Sequence, residues 1–114
     1  MHKIVIGIAE KVKIFGRKGS KQLIAKIDTG ATNNSIDEKL ADELGLGPII
    51  RTVLVKHAHG NKIRPLVKAK VEIAGRVLEG KFTLADRRHM KYKVLIGLDI
   101  LRKGFLIDPT KKGR

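Results

Sequence analysis

Residues Ala25 to Ser35, AKIDTGATNNS, set one acid, Asp28, between an apolar run and a turn of small residues. Two readings compete for that acid. Asp and Gly are both common turn formers, so Asp28-Thr29-Gly30 alone fits a bend at a strand end. A strand end is also where a scaffold presents a reagent, and so short a motif gains weight only from a second, matching element. Val94 to Leu101, VLIGLDIL, supplies one: an apolar strand ends in Gly97 and runs straight into a helical pattern.

The chain has 114 residues, with 42% hydrophobic residues and no cysteine. That length suits one domain, residues 1–114, with a real core. Lack of cysteine excludes a disulfide framework, a thiolate metal site and a thiol nucleophile. The N-terminal apolar run IVIGIA is too short to span a membrane, and no small-residue cleavage pattern follows it. A cytoplasmic protein with no membrane partner is expected. Twenty-five Lys and Arg against 11 Asp and Glu give a net charge of +14. Such a charge favours polyanions, so nucleic acid is a candidate partner through the basic surface. The basic residues are spread along the chain and aromatics number one Tyr and three Phe, which leaves few stacking platforms and fits a solvated basic surface equally well.

Outward from the motif, Gln22 to Ile27 reads as a strand ending at Asp28, preceded by strands in HKIVIGIAE and KVKIFG and a turn at Gly16 to Ser20. Ser35 and Glu38 have capping-box spacing, and Ile36, Leu40 and Leu44 recur at helical spacing, so a helix is expected from about Asp37 to Leu44. RTVLVKH and NKIRPLVKAKVEI read as strands about the Gly-containing turn His57 to Asn61. Val67, Ala69, Val71 and Ile73 alternate with Lys68, Lys70 and Glu72, and Ala74-Gly75 turns the chain into RVLEGKFTL, giving a meander. ADRRHMKYK is a polar connection, KVLIG a strand, LDILRK a short helix and FLID a last strand. The expected fold is mainly β with two short helices.

With these elements in order, the sequence resembles the retropepsin-like aspartic proteases. Asp28-Thr29-Gly30-Ala31 matches their catalytic loop, His57 to Asn61 lies where their flap tip stands, and Leu95-Ile96-Gly97 matches their last element. It is most similar to small prokaryotic members often labelled ATP-dependent zinc proteases, through AKIDTGA, Arg64-Pro65, FTLADRRHMKYKVLIG and FLIDP, from Ala25 onward. The resemblance implies a closed β-barrel of the acid-protease fold and an aspartic endopeptidase. Because the chain has a single Asp-Thr-Gly, it also implies a homodimer with one Asp28 from each copy. Thr29 would tie the two loops together, Gly30 would permit close backbone approach, and Ala31, His57, His59, Gly60, Ile96 and Gly97 would contact substrate. The terminal strands, Ile4 to Ile8 and Phe105 to Ile107, would pair between subunits. The related proteins are associated with ligases that add glutamates to protein tails, which implies acidic or glutamate-rich peptides as substrates. The sequence departs from the viral pattern in having Leu98 and Thr32 where an Arg and its partner acid stand. Both ends of that pair are replaced together, as expected of one structural solution exchanged for another.

Asp99 and Asp108 read as a helix cap and a turn residue, not as catalytic groups. His57 and His59 have the spacing of one strand face and His89 would add a third ligand, but no His-Glu-x-x-His pattern is present. No metal or cofactor is expected. The rival to a peptidase is an inactive binding module of the same fold, using its basic surface for RNA, the ribosome or an acidic protein.

Overall fold

A computed structural model describes residues 2–57 and 59–111; Ala58, at the expected flap tip, and the side chain of His57 lie outside the described residues. The elements run β1 (Ile4–Ile6), β2 (Ala9–Gly16), β3 (Gly19–Ile27), β4 (Asn34–Asp37), α1 (Glu38–Leu44), β5 (Arg51–His57), β6 (Gly60–Ile73), β7 (Arg76–Ala85), β8 (Val94–Ile96), α2 (Leu98–Leu101) and β9 (Phe105–Ile107). Six strands close into a barrel in the order β2-β3-β8-β4-β7-β6, and pairing of β2 with β6 completes the ring. The fold is therefore a closed, mainly β barrel with two short helices, as expected.

The 14-residue β6 does two jobs along its length. Its first half pairs with β5 outside the barrel, from His57↔Gly60 to Arg51↔Leu66. Its second half pairs with β7, from Leu66↔Thr83 to Ile73↔Arg76, and with β2. Alternation decides which side chains enter the barrel: Val67, Ala69, Val71 and Ile73 are buried while Lys68 and Lys70 are exposed. They join Ile14, Ile36, Phe82, Val94, Ile96 and Ile100 in one core. The hairpin between β6 and β7 turns on Ala74 and Gly75, both with positive φ (51° and 79°), the backbone of a tight primed turn.

Two expectations need correction. Ser35 does not cap the first helix; it lies within β4, which pairs parallel with β7 and antiparallel with β8. The cap is Asp37, whose carboxylate accepts from the Leu40 N–H at 3.3 Å, and the helix closes on Gly45 with φ 72°. The terminal strands also pair within the chain: β1 lies parallel to β9, with Ile4↔Phe105, Val5↔Leu106 and Ile6↔Ile107 in register. Between β1 and β2 the Gly7 N–H is held by the buried Glu10 carboxylate at 2.9 Å.

Candidate active site

Asp28 follows β3, and its placement comes from β8 next door. Ile27 and Ile96 are parallel partners, and the Asp28 N–H donates to the Ile96 carbonyl at 2.8 Å. The chain then turns back on itself, and the Gly30 N–H donates to Asp28 Oδ1 at 2.9 Å. Asp28 is half-buried, whereas Thr29 and Gly30 are exposed. One carboxylate oxygen is thus fixed by the loop, while Oδ2 accepts no hydrogen bond from the described residues.

The loop rests on the start of α2. Leu98 N–H donates to the Ala31 carbonyl at 2.8 Å and Asp99 N–H to the Thr32 carbonyl at 3.0 Å. A Cβ at Gly97 would stand 2.4 Å from the Asn33 oxygen and 2.7 Å from the Ala31 oxygen, so the close approach requires glycine there. Ile96 and Gly97, expected to touch substrate, are both buried. Ile96 packs in the core and offers its carbonyl to Asp28, and Gly97 backs the loop.

Behind the loop lies a polar network that sequence reasoning missed. Asn34, 0% exposed, accepts from the Gly97 N–H at 2.8 Å through Oδ1. Its Nδ2 donates to the Lys81 carbonyl at 2.9 Å and to Asp99 Oδ2 at 3.0 Å. Asp99 Oδ2 also accepts from the Lys81 N–H at 2.9 Å. Asp99 is therefore no helix cap; Gly97 stands at that position and α2 has no side-chain cap. The amide and carboxylate join β4, β7 and α2 beneath the loop, where Thr32 and Leu98 leave no ion pair. A neutral amide satisfying a carboxylate avoids desolvating two opposite charges.

The remaining expected residues lie on the β5–β6 hairpin. Gly60 has φ 123° at its tip and His59 is exposed beside it; the tip shares no backbone hydrogen bond with the Asp28 loop among the described residues. From Arg51 to Val71 the chain contains no acid and carries Arg51, Lys56, Lys62, Arg64, Lys68 and Lys70. Arg87, in the connection after β7, is a second residue not singled out from sequence. Its N–H donates to Asp37 Oδ1 at 2.8 Å and its Nε to the Tyr92 carbonyl at 3.0 Å. Burial holds its guanidinium below the usual value, opposed by the negative fields of Asp28 and Asp37, so this cation stands within electrostatic reach of the candidate acid. Among the described residues no three His, Asp or Glu side chains converge on a metal-sized site.

Residues 35–113, over two-thirds of the chain, match the family model RimB-like, described as retropepsin-like aspartic endopeptidase RimB. A search of the curated proteins finds no match. Among solved structures, a Legionella pneumophila protein of unknown function is similar at 21% identity, covering 96% of this chain and 95% of its own, with TM-score 0.66. The EIAV protease in complex with an inhibitor matches at 20% identity over 83% of this chain and 85% of its own, TM-score 0.66. The Simian foamy virus (mac) protease matches at 24% over 82% and 91%, TM-score 0.58. At such identities these structures speak for the fold. The family description and the structures named above do not carry the label of an ATP-dependent zinc protease. The family match takes in the glycine-ended β8 and begins after the Asp-Thr-Gly turn, and at more than half of the chain it shows that the chain belongs to the RimB-like family of retropepsin-like aspartic endopeptidases.

Proposed function

We propose that the protein is a cytoplasmic homodimeric aspartic peptidase whose site is formed by two Asp28 carboxylates, one from each copy. The observation that carries this reading is the Asp28 loop itself. It ends a core strand, one carboxylate oxygen is fixed by Gly30, and the loop is braced from behind by Gly97 and Asn34. Two carboxylates brought face to face cannot both ionise comfortably and share one proton. The ionised one takes a proton from a water held between them as that water attacks the scissile carbonyl carbon. The protonated one gives its proton to the carbonyl oxygen. Collapse of the tetrahedral diol, with proton delivery to the amide nitrogen, breaks the C–N bond and releases an acid and an amine.

Thr29 and Gly30 are exposed beside Asp28, where they would face the partner loop, with Ala31 at the substrate's flank. The hairpin bearing His57, His59 and Gly60 would close over an extended peptide, excluding water and supplying main-chain hydrogen bonds. An acid-free stretch from 51 to 71 and Arg87 near Asp28 favour acidic or glutamate-rich peptides. Hydrolysis of such peptides by the wild type, lost in Asp28→Asn with the fold intact, is the expected result; an active Asp28→Asn would refute the reading. The +14 charge supports the second reading, an inactive module that binds an acidic partner or RNA. It predicts salt-sensitive binding without cleavage in the same assay.

A further inference from the structure

Arg87 is tied down along its main chain and stem and left open at its end. Its N–H donates to Asp37 Oδ1 at 2.8 Å, and the other oxygen of that carboxylate caps α1 at Leu40. Its Nε donates to the Tyr92 carbonyl at 3.0 Å. Lys93 Nζ donates to the Arg87 and Arg88 carbonyls, and the Lys93 carbonyl accepts from the Asp37 N–H at 2.8 Å. The loop that carries the guanidinium is thus stapled to β4 and to the residues that lead into β8. β8 is also the strand whose Ile96 carbonyl holds the Asp28 N–H. One strand therefore locates both the candidate acid and this cation.

The open end is the fork of the guanidinium. Among the described residues Nη1 and Nη2 donate no hydrogen bond, and no carboxylate stands within ion-pair distance of them. Both reach solvent, since no buried side-chain nitrogen or oxygen lacks a partner among the described residues. Asp86, the acid of the same loop, is engaged by Arg88 at 3.3 Å. Arg87 is half-buried, and that loss of water is what chiefly holds its guanidinium below the usual value, with the fields of Asp28 and Asp37 acting against it. A cation partly withdrawn from water, with two donors free and no counter-ion, suits a carboxylate in its bidentate geometry. An oxyanion bound there offsets what the partial burial costs.

We infer that Arg87 grips one substrate carboxylate in its open fork, and that the two-fold site reads an acidic side chain on each side of the scissile bond. The inference rests on the homodimeric peptidase reading. Two copies hold two Arg87, related by the same axis as the two Asp28 carboxylates, so the requirement falls at one equivalent position on each flank. The strand bounds its distance. Tyr92, which fixes the fork, precedes Ile96 by four residues, at most about 13 Å of extended chain, and an extended substrate advances about 3.3 Å per residue. The acid that is read therefore stands within about four residues of the cleaved bond. This selectivity differs from that of the flap cations Lys62 and Arg64, whose charge favours acids at many positions alike.

The test is steady-state cleavage of an acidic peptide in which each Glu in turn is replaced by Gln, together with the peptide in which all are replaced. Wild type should show one position on each flank where the amide raises KM about 10- to 100-fold, with small and even effects elsewhere. In Arg87→Gln those two positions should lose their discrimination while kcat on the parent peptide changes little. Arg87→Lys keeps the charge and loses the fork, so its discrimination should fall part-way. Urea unfolding run alongside separates a variant that is unselective from one that is unfolded. An unchanged Glu-to-Gln ratio in either variant, or a wild-type scan that is flat at every position, would overturn the fork and leave the peptidase standing. Discrimination on one flank alone would overturn the symmetric reading. Wild type that cleaves neither the acidic nor the all-Gln peptide would refute the peptidase reading, and the fork with it.

Discussion

Asn34→Asp changes one atom of a buried side chain and reverses one of its polarities. The new carboxylate keeps the acceptor for the Gly97 N–H, but an oxygen replaces the Nδ2 that lies 2.9 Å from the Lys81 carbonyl and 3.0 Å from Asp99 Oδ2. Two part-buried acceptors lose the amide donor, although Asp99 Oδ2 keeps the Lys81 N–H; at about 1–3 kcal/mol for each lost bond the variant should lose about 2–6 kcal/mol at neutral pH. That is a large share of the roughly 5–15 kcal/mol that holds a domain together. Like-charge repulsion with Asp99 gives the loss a pH dependence. The new pair binds a proton in the folded state more tightly than in the unfolded state, so the deficit is full above the raised folded titration and shrinks as pH falls through it. Adding Asp99→Asn restores a donor: the amide introduced at position 99 can donate to the carboxylate at 34 and still accept from the Lys81 N–H. The double variant should recover about half the loss, a coupling of about 1–3 kcal/mol. Urea unfolding at one fixed protein concentration measures both, since pairing of copies makes stability concentration-dependent. A single-variant cost below about 1 kcal/mol, or strict additivity, would refute the role given to this network.

Other outcomes follow from the same geometry. Gly97→Ala drives a methyl into the Asn33 and Ala31 carbonyls, 2.4 and 2.7 Å away, and should cost about 1–3 kcal/mol in urea unfolding and lower kcat on an acidic peptide; unchanged stability would remove the wedge argument. Asp108 has its carboxyl held below the usual range, first by the Thr110 hydroxyl and then by the Thr110 N–H. Thr110→Val should move its titration, followed by carbon NMR, up toward the ordinary value. It should also diminish a stabilisation that is present above the ordinary carboxylate pKa and lost as pH falls through the lowered folded one. Lys62→Glu with Arg64→Glu should raise KM for acidic peptides several-fold with little change in kcat, and an unaltered KM would detach the flap's charge from substrate choice.

The parts of the fold written in local patterns could be read from sequence. The alternation along β6 and β7, the Ala74-Gly75 turn and the apolar spacing that leads to Gly45 each lie within a few residues, and the structure follows them. β4 escaped because it has four residues and pairs with strands far along the chain, so nothing adjacent marks Ser35 as strand rather than cap. The β1–β9 pairing joins the two ends of the described chain and has no local signal either. In the candidate site, Asp28 and Gly97 were legible because family resemblance and residue type agree. Asn34 and Asp99 were not: the amide reaches partners 47 and 65 residues away, and an Asp beside a helix start looks like a cap until its carboxylate is seen to face β7. Polar residues at element ends suit turns and caps first, and only burial separates the few that brace a site.

Mixing subunits tests the two-carboxylate site most directly. Wild type at fixed concentration is equilibrated with increasing Asp28→Asn protein and cleavage of an acidic peptide is followed. If the site needs one Asp28 from each copy, every mixed pair is inactive; activity per wild-type chain then falls to about one half with an equal amount of variant and to about one tenth with a ninefold excess. Activity that stays constant per wild-type chain would mean that a single copy cleaves alone, and would contradict the shared site.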